Sequence, residues 1–442
     1  MFNITMTIGL LFVAMGFYNL YKMHRSLLYI EKRYKELESD DFNEINAPQI
    51  ILMIPLLREA QILSQTIQGL SRLIYPIQKL KIVLVTTERE YEELDKKPAK
   101  NTIDVVQSEL VGLEISEKFI HIHYPYTKGI KSDQLNYALN ILEKDYPFLF
   151  NSNTYIGVYD ADSITQPQTL QILAKEIQRD STISIFQQPT LYLKNRYKFT
   201  YNYLARAFGW IQTSYAFSVE NFNIISHVSG KSLKLIYAVG HGLFIKYDSL
   251  KSIGLFPTPI EDTRLGHTFS FLDYKFKLLP VFDLVEVTPR ALLRIKQASV
   301  WFMGVNYFLK DFHIASSFGA KSYQRMIAMA CYRFYRNIVW IVRAFMLLGV
   351  CIALLPYSRL MSFLVLMTYL YIPLLYLLSQ TTNLSRLSAE NISPPKLADF
   401  LCLLFVPLEY LNMSLGPLFG FAKRFIFQIK SEKILYPKTE RI

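Results

Sequence analysis

The chain has 442 residues, of which 51% are hydrophobic and 19% charged, a balance too apolar for an ordinary soluble protein. Its 48 Lys and Arg outnumber 36 Asp and Glu, a formal charge of +12. Basic residues beside apolar spans meet anionic lipid, so this excess calls for no nucleic acid. Cys331, Cys351 and Cys402 lie in or beside apolar C-terminal stretches without metal-ligand spacing, which reads as small buried hydrophobes and not as disulfides.

The first predicted element is "ITMTIGLLFVAMGFYNLY" (Ile4–Tyr21), which carries no charge. The basic residues Lys22, His24 and Arg25 follow this run and do not precede it, the order of a retained anchor and not of a cleaved signal. Residues 1–24 are therefore expected to form a membrane anchor and 25–47 a charged, solvated linker helix. From about residue 48, short apolar runs alternate with amphipathic ones. "PQIILMIPL", "LKIVLV", "FIHIHY", "TYIGVYD" and "ISIFQQP" read as strands. "REAQILSQTIQGLSRL", "SDQLNYALNILEKD" and "PQTLQILAKEIQ" read as helices, giving the order β-α-β-β-α-β-α-β. Near-continuous apolar strands with helical crossovers predict an α/β domain with a mostly parallel, Rossmann-like sheet and ligands at the carboxyl ends of its strands.

Residues 306–336 are read as an interfacial amphipathic region and 337–442 as a membrane region with a basic tail. Ile338–Pro356, Leu360–Leu378 and Ala398–Phe421 are each long enough to cross ~30 Å of hydrocarbon at about 1.5 Å per residue. The third carries Glu409 mid-segment, which suits a re-entrant or interfacial course. Basic residues after the first span, through the middle region and at the tail (Lys423, Arg424, Lys430, Lys433) place all three on the cytoplasmic side of a multi-pass cell-membrane protein. Two C-terminal crossings satisfy that arrangement.

Chemistry concentrates at "YIGVYDADSITQ", where Asp160 and Asp162 stand at a strand end. Strand alternation would project both carboxylates to one side, where two hard oxygen donors favour Mg2+ or Mn2+. The other reading of the same residues is a loop in which Asp162, Ser163 or Thr165 caps the helix containing Pro167. Other chemistries lack their signatures. "SGKS" (229–232) has Ile225 where a phosphate loop needs glycine, the histidines form no helical metal pair, and no Ser or Cys nucleophile motif occurs. His121 and His123 alternate on one strand as structural residues.

Five further stretches appear in order: "IPLLRE", "KGIKSDQLNYALN", "GHGLFIKYDSLKSIGLFP", "IEDTRLG" and "QASVWFMG". Together with Asp160-x-Asp162 the series, from about residue 48 to 305, resembles the family 2 glycosyltransferases of GT-A fold, within them the membrane-embedded group related to cellulose, chitin and hyaluronan synthases. The resemblance implies a GT-A catalytic domain over 48–305, flanked by transmembrane helices. It implies inverting transfer of a sugar from a nucleotide-linked donor such as a UDP-sugar, with membrane lipids around the protein. The acceptor would be a growing surface polysaccharide or a lipid-linked glycan. On this chain it assigns Asp160 and Asp162 to the metal and donor diphosphate, and Asp262, with Glu261 beside it, to the catalytic base. It assigns Lys131 and Asn136 to the donor pocket, and Gln297 and Trp301 to the acceptor side. "FQQPTLYLKN" resembles the family's Gln-x-Pro segment. Glu88 is the nearest acid where the family usually has a base-contacting Asp, and His241, between two glycines, is an acceptor-side candidate.

Glu261 and Asp262 also suit the start of a helix, and Trp301 suits a membrane-interface aromatic. A like charge beside it is expected to raise the pKa of Asp262. Val300 stands where the processive synthases carry Arg, which leaves Arg294 or Lys296 as replacement cations and favours a non-processive enzyme acting on a lipid or polyprenyl phosphate. A non-catalytic scaffold of a polysaccharide assembly complex is the reading from another class.

Overall fold

A computed structural model describes residues 2–92, 101–111, 116–227, 232–320, 322–390 and 392–430. Its centre is a seven-stranded sheet in the order β3-β2-β1-β4-β7-β5-β8, with β1 (Gln49–Pro55), β2 (Leu80–Thr87), β3 (Phe119–Tyr124), β4 (Thr154–Val158), β5 (Ile185–Gln187), β7 (Leu243–Lys246) and β8 (Phe276–Leu278). A small second sheet pairs β6 (Thr190–Leu191) with β9 (Asp283–Leu284). The mostly parallel α/β domain expected from the apolar runs is present. In β1 the run Ile50–Ile54 is buried throughout, because helices cover both faces of the sheet.

Three differences from the sequence reading matter. A helix, Thr102–Val111, lies between β2 and β3, which had been read as consecutive strands. Those strands pair in parallel, Val83 opposite Ile120, and parallel neighbours require a crossover that brings the chain back to the same end. Strands β7 and β8 were not predicted, and β7 runs antiparallel between β4 and β5. That reversal is consequential: Leu243 at the start of β7 lies opposite Val158 at the end of β4, so the 239–242 loop meets the carboxyl ends of the parallel strands. Finally, β4 stops at Val158, so Asp160 and Asp162 lie in the following turn and not on the strand. Strand alternation therefore does not set their directions. Nor do they cap the next helix, Thr169–Arg179, whose first turn has no side-chain cap.

Among the described residues four helices are long and apolar enough to cross a membrane: Asn3–Glu38, Tyr323–Leu354, Arg359–Ser379 and Leu397–Ala422. The anchor and the charged segment form one helix, Phe2–Glu38, with no break between them. The charged half is not wholly solvated: Met23, Leu27, Ile30 and Leu37 are buried, and Arg33 grips the buried Glu176 at 2.6 and 2.7 Å. The interfacial region comprises a helix, Phe308–Ser317, and the first turns of the Tyr323–Leu354 helix.

The last segment packs against the Ala291–Val305 helix. Glu409, fully buried, pairs with Arg294 of the Ala291–Val305 helix, whose guanidinium also donates to the carbonyls of Thr288 (3.0 Å) and Pro289 (2.7 Å). Gly416 meets the same helix so closely that a Cβ there would lie 2.4 Å from the Ala298 Cβ. A small residue is what permits that approach. Arg294 is thus consumed by Glu409 and is not the replacement cation considered for Val300, and Lys296 is exposed. Of the cysteines only Cys402 is buried. Cys331 is exposed on the Tyr323–Leu354 helix, which corrects its reading as a buried hydrophobe. The tail residues Lys423, Arg424 and Lys430 have no described side chains, and Lys433 lies outside the described residues.

Candidate active site

Four elements converge at the shared edge of β4 and β7. Lys131 is the first residue of the Lys131–Asp145 helix, which follows β3. Its Nζ donates to Asp160 Oδ1 at 2.8 Å and to the Gly240 carbonyl at 2.7 Å, and lies 3.5 Å from Glu261 Oε1. Glu261 and Asp262 open the Glu261–Phe271 helix, where acids also complement the positive helix end. Asp262 Oδ1 accepts from the Thr263 amide at 2.6 Å. Its other oxygen approaches Gly240 so closely that a Cβ there would sit 2.7 Å from Oδ2, and 3.1 Å from Lys131 Nζ. Gly240 is the point on which lysine and aspartate both close.

The electrostatics follow from this packing. Burial alone would discharge the Lys131 ammonium, but Asp160, Glu261 and Asp262 outweigh it and hold the group above the ordinary lysine range. Burial pushes both Glu261 and Asp262 upward while Lys131 opposes the rise. Like charge adds to that rise: Asp160 acts on Asp262, and the adjacent Glu261 and Asp262 disfavour each other's ionisation, as expected of neighbouring acids.

The Glu261–Phe271 helix is held firmly. Arg264 Nε donates to the buried Asp311 at 2.7 Å, and His267, kept neutral by burial, shares a hydrogen bond of 3.1 Å with the same carboxylate. Gly266 lets the helix lie on the backbone of Tyr237 and Ala238, where a Cβ would come within 2.3 Å of the Ala238 nitrogen. Ile260, which precedes the helix, adopts a left-handed φ of 59°, a strained conformation for a β-branched residue.

Sequence reasoning gave no role to the individual residues Gln187 and Gln188, and it missed Asp283 and Glu220. Gln187 and Gln188 of the "FQQP" segment pin the 239–242 loop. Gln187 donates to the His241 carbonyl (2.9 Å) and accepts from the Val239 amide (2.9 Å), and the Gln188 amide donates to the Gly242 carbonyl at 2.7 Å. His241 Nδ1 bonds the buried Asp283 at 2.7 Å, and Ser163 donates to the same oxygen at 3.1 Å. Burial opposes protonation of His241, but Asp283, with Asp160 and Asp162 nearby, overrides it and lifts the pKa to about 9. The bond to Asp283 thus favours the protonated imidazole beside the acidic turn. Glu220, in a π-helical segment Ala216–Asn221, is pushed up to about 7 by burial; His241 and Asp262 are among the charges it senses. Its only sequence signal was its position in an apolar stretch.

Other candidates lie elsewhere. Both atoms of the Asn136 amide are taken by the Phe256 backbone, each at 2.9 Å, so this side chain clamps the 256 segment and is not turned to a donor. Glu88 is half-exposed past β2 and bonds His123 at 2.9 Å; His123 and His121 in turn share Thr86. Gln297 and Trp301 sit one turn apart on the Ala291–Val305 helix, both half-buried, with Trp301 against the main core.

The carboxylates of Asp160 and Asp162 differ in setting. Asp160 keeps 39% of its side chain exposed beside Lys131, whereas Asp162 is buried and accepts from the Glu286 amide at 3.3 Å. Among the described residues no group of three or more His, Cys, Asp or Glu forms a metal site. Two hard carboxylates nevertheless suit Mg2+ or Mn2+, ions that take one or two protein carboxylates and fill other positions with phosphate oxygens and water.

The family described as Glycosyl transferase family group 2 matches residues 155–379, just over half of the chain. No curated protein matches it. Solved structures similar to it include a mannosyltransferase, PcManGT, from Pyrobaculum calidifontis in complex with GDP-Man and Mn2+, at 15% identity and a TM-score of 0.45, covering 94% of this chain and 99% of that one. Another is S. aureus TarS, residues 1–349, in complex with UDP-GlcNAc, at 10% identity and a TM-score of 0.40, covering 85% of this chain and 92% of that one.

Proposed function

The chain belongs to glycosyl transferase family group 2 and is a glycosyl-transferring enzyme, and from that premise we propose that it moves a sugar, with inversion, from a nucleoside diphosphate donor to an acceptor hydroxyl at the cytoplasmic face of the membrane. The observation that carries this reading is the convergence of Lys131, Asp160, Glu261 and Asp262 on Gly240. Asp262 accepts the proton of the attacking hydroxyl, and its burial-raised pKa suits a general base. Lys131 holds Asp160 and Glu261 in register and keeps a positive charge where the diphosphate would lie. Asp160 and Asp162 would hold a divalent cation, which supplies charge neutralisation to the departing diphosphate. His241, fixed by Asp283, adds a second positive group there, a role that Val300 leaves unfilled on the Ala291–Val305 helix. Gln297 and Trp301 are the proposed acceptor-side residues.

The reading is tested by nucleotide release and transfer in native membranes with a panel of UDP- and GDP-linked sugars, with and without Mg2+ or Mn2+. Release from one donor, dependent on metal and lost in Asp160→Asn, is the expected result. Release insensitive to metal removal and to Asp160→Asn would refute the metal assignment.

A further inference from the structure

The catalytic cluster surrounds its lysine with carboxylates. Beneath it, where the Phe2–Glu38 and Tyr323–Leu354 helices meet the 216–221 segment, the opposite arrangement occurs. Arg333, Arg336 and Arg343 fall at i, i+3 and i+10 of the Tyr323–Leu354 helix, one face of it. Lys22, from the facing helix, is close enough to Arg336 and Lys234 to sense both charges, and Arg333 senses Arg336. Lys22 is 9% exposed and Arg333 8%. Among the described residues none of these five cations has a carboxylate partner, and Nε of both Arg333 and Arg343 is buried without a hydrogen bond. Their neighbours are ring faces: Arg333 over Tyr237 at 5.4 Å, Arg343 over Tyr410 at 5.0 Å and Tyr215 at 5.7 Å, Lys22 over Tyr18 at 5.0 Å, Lys234 over Phe222 at 4.8 Å.

Aromatic faces orient such cations but do not neutralise them, and burying like charges together without an anion is unfavourable. An anion from outside the described residues would compensate them. Lys22 and the three arginines lie on two helices that are long and apolar enough to cross a membrane, which puts lipid within their reach. Guanidinium forks and an ammonium match the oxygens of a phosphate group. The cluster also reaches the chemistry: the Tyr237 hydroxyl donates to Glu220 at 3.0 Å and shares a hydrogen bond of 3.2 Å with Tyr215, and Glu220 senses Asp262.

We propose that Lys22, Lys234, Arg333, Arg336 and Arg343 form the binding site for the phosphate of a membrane lipid that carries the acceptor. This rests on the glycosyl-transfer reading. The cluster forms no bond itself. It anchors the carrier so that an acceptor hydroxyl on it reaches Asp262, to which that hydroxyl's proton passes. Bulk anionic lipid is the weaker occupant, because it meets exposed basic residues at a surface, whereas Lys22 and Arg333 are buried.

The test uses the full chain in phosphatidylcholine nanodiscs with no nucleotide sugar, titrated with a polyprenyl monophosphate, the corresponding polyprenol, phosphatidylglycerol and inorganic phosphate, with binding read by native mass spectrometry. Saturable binding of the monophosphate, at least about tenfold tighter than that of the alcohol or phosphatidylglycerol, is expected. Arg336→Gln should weaken it about tenfold or more, Arg336→Lys should weaken it less, and Lys310→Gln, an exposed lysine outside the cluster, should not change it. Arg333→Gln repeats the test at the buried position, with a melting curve to check folding. Equal binding of the alcohol, equal binding of phosphatidylglycerol, or occupancy by inorganic phosphate that the lipid does not displace would each overturn the proposal. Because no donor is present, such a result leaves nucleotide release at the catalytic site untouched, and loss of nucleotide release leaves lipid binding untouched.

Discussion

The two charged clusters of this molecule are built on opposite principles. Around Lys131 the chain supplies three carboxylates to one ammonium, so that cluster is compensated from within and its geometry is set before any ligand arrives. Around Arg333 and Arg336 the described residues supply cations and rings but no carboxylate partner, so that cluster is left for an external anion to complete under the proposal above. The contrast separates chemistry from capture: a reacting centre is pre-organised, while a site for an anionic partner keeps its charge in reserve. The buried pairs Arg264–Asp311 and Arg294–Glu409 are a third case, each cation satisfied by one acid and serving to fix a helix.

Several substitutions would break or sharpen this comparison. The largest effect is expected from Asp262→Asn, which should lower the transfer rate on the order of 10^3-fold with donor affinity retained, measured by single-turnover transfer. Next is Gly240→Ala: its methyl would meet Asp262 Oδ2 and Lys131 Nζ, and kcat should fall about 10^2-fold through misplacement of both groups. The pH dependence of kcat/KM should show an acid limb above the ordinary aspartate range, because burial raises Asp262 and only the ionised form is a base. Lys131→Met removes the cation that lowers that pKa, so its residual activity should have the limb displaced to higher pH, whereas Glu261→Gln removes a like charge and should displace it to lower pH. The smallest effect is expected from Asn136→Ala, which loses two hydrogen bonds to Phe256; stability should drop by about 1–2 kcal/mol with KM for the donor unchanged, seen by thermal melting beside kinetics.

The parts of this account that were legible in the sequence share a physical reason. Strands β1, β2 and β4 are covered on both faces and so announce themselves as apolar runs, and Lys131, Asp160, Glu261 and Asp262 stand at element boundaries where charged residues interrupt such runs. The Thr102–Val111 helix was hidden because "TIDVVQSELV" mixes polar and β-branched residues, yet the parallel register of β2 and β3 demanded some crossover. What no local pattern carries is tertiary approach. Gly240 looks like any loop glycine until Asp262 is seen against it, Glu220 lies in an apolar stretch, and His241 finds its hydrogen-bond partner in Asp283, forty-two positions along the chain. Asn136 shows the converse: a polar residue in a motif-bearing helix whose amide serves a neighbouring backbone. Glu409 argued for an irregular last segment when considered alone, and Arg294 explains how that charge is carried inside.

The central claim is that Asp262, among the four described carboxylates whose pKa burial raises (Glu220, Glu261, Asp262 and Asp283), is the base of the transfer reaction. The measurement that tests it most directly is single-turnover transfer at saturating donor by wild type, Asp262→Asn and Glu220→Gln, each checked for donor binding. The account predicts a loss on the order of 10^3-fold in Asp262→Asn against less than about tenfold in Glu220→Gln. Transfer preserved in Asp262→Asn and abolished in Glu220→Gln would contradict it and move the base to the π-helical segment.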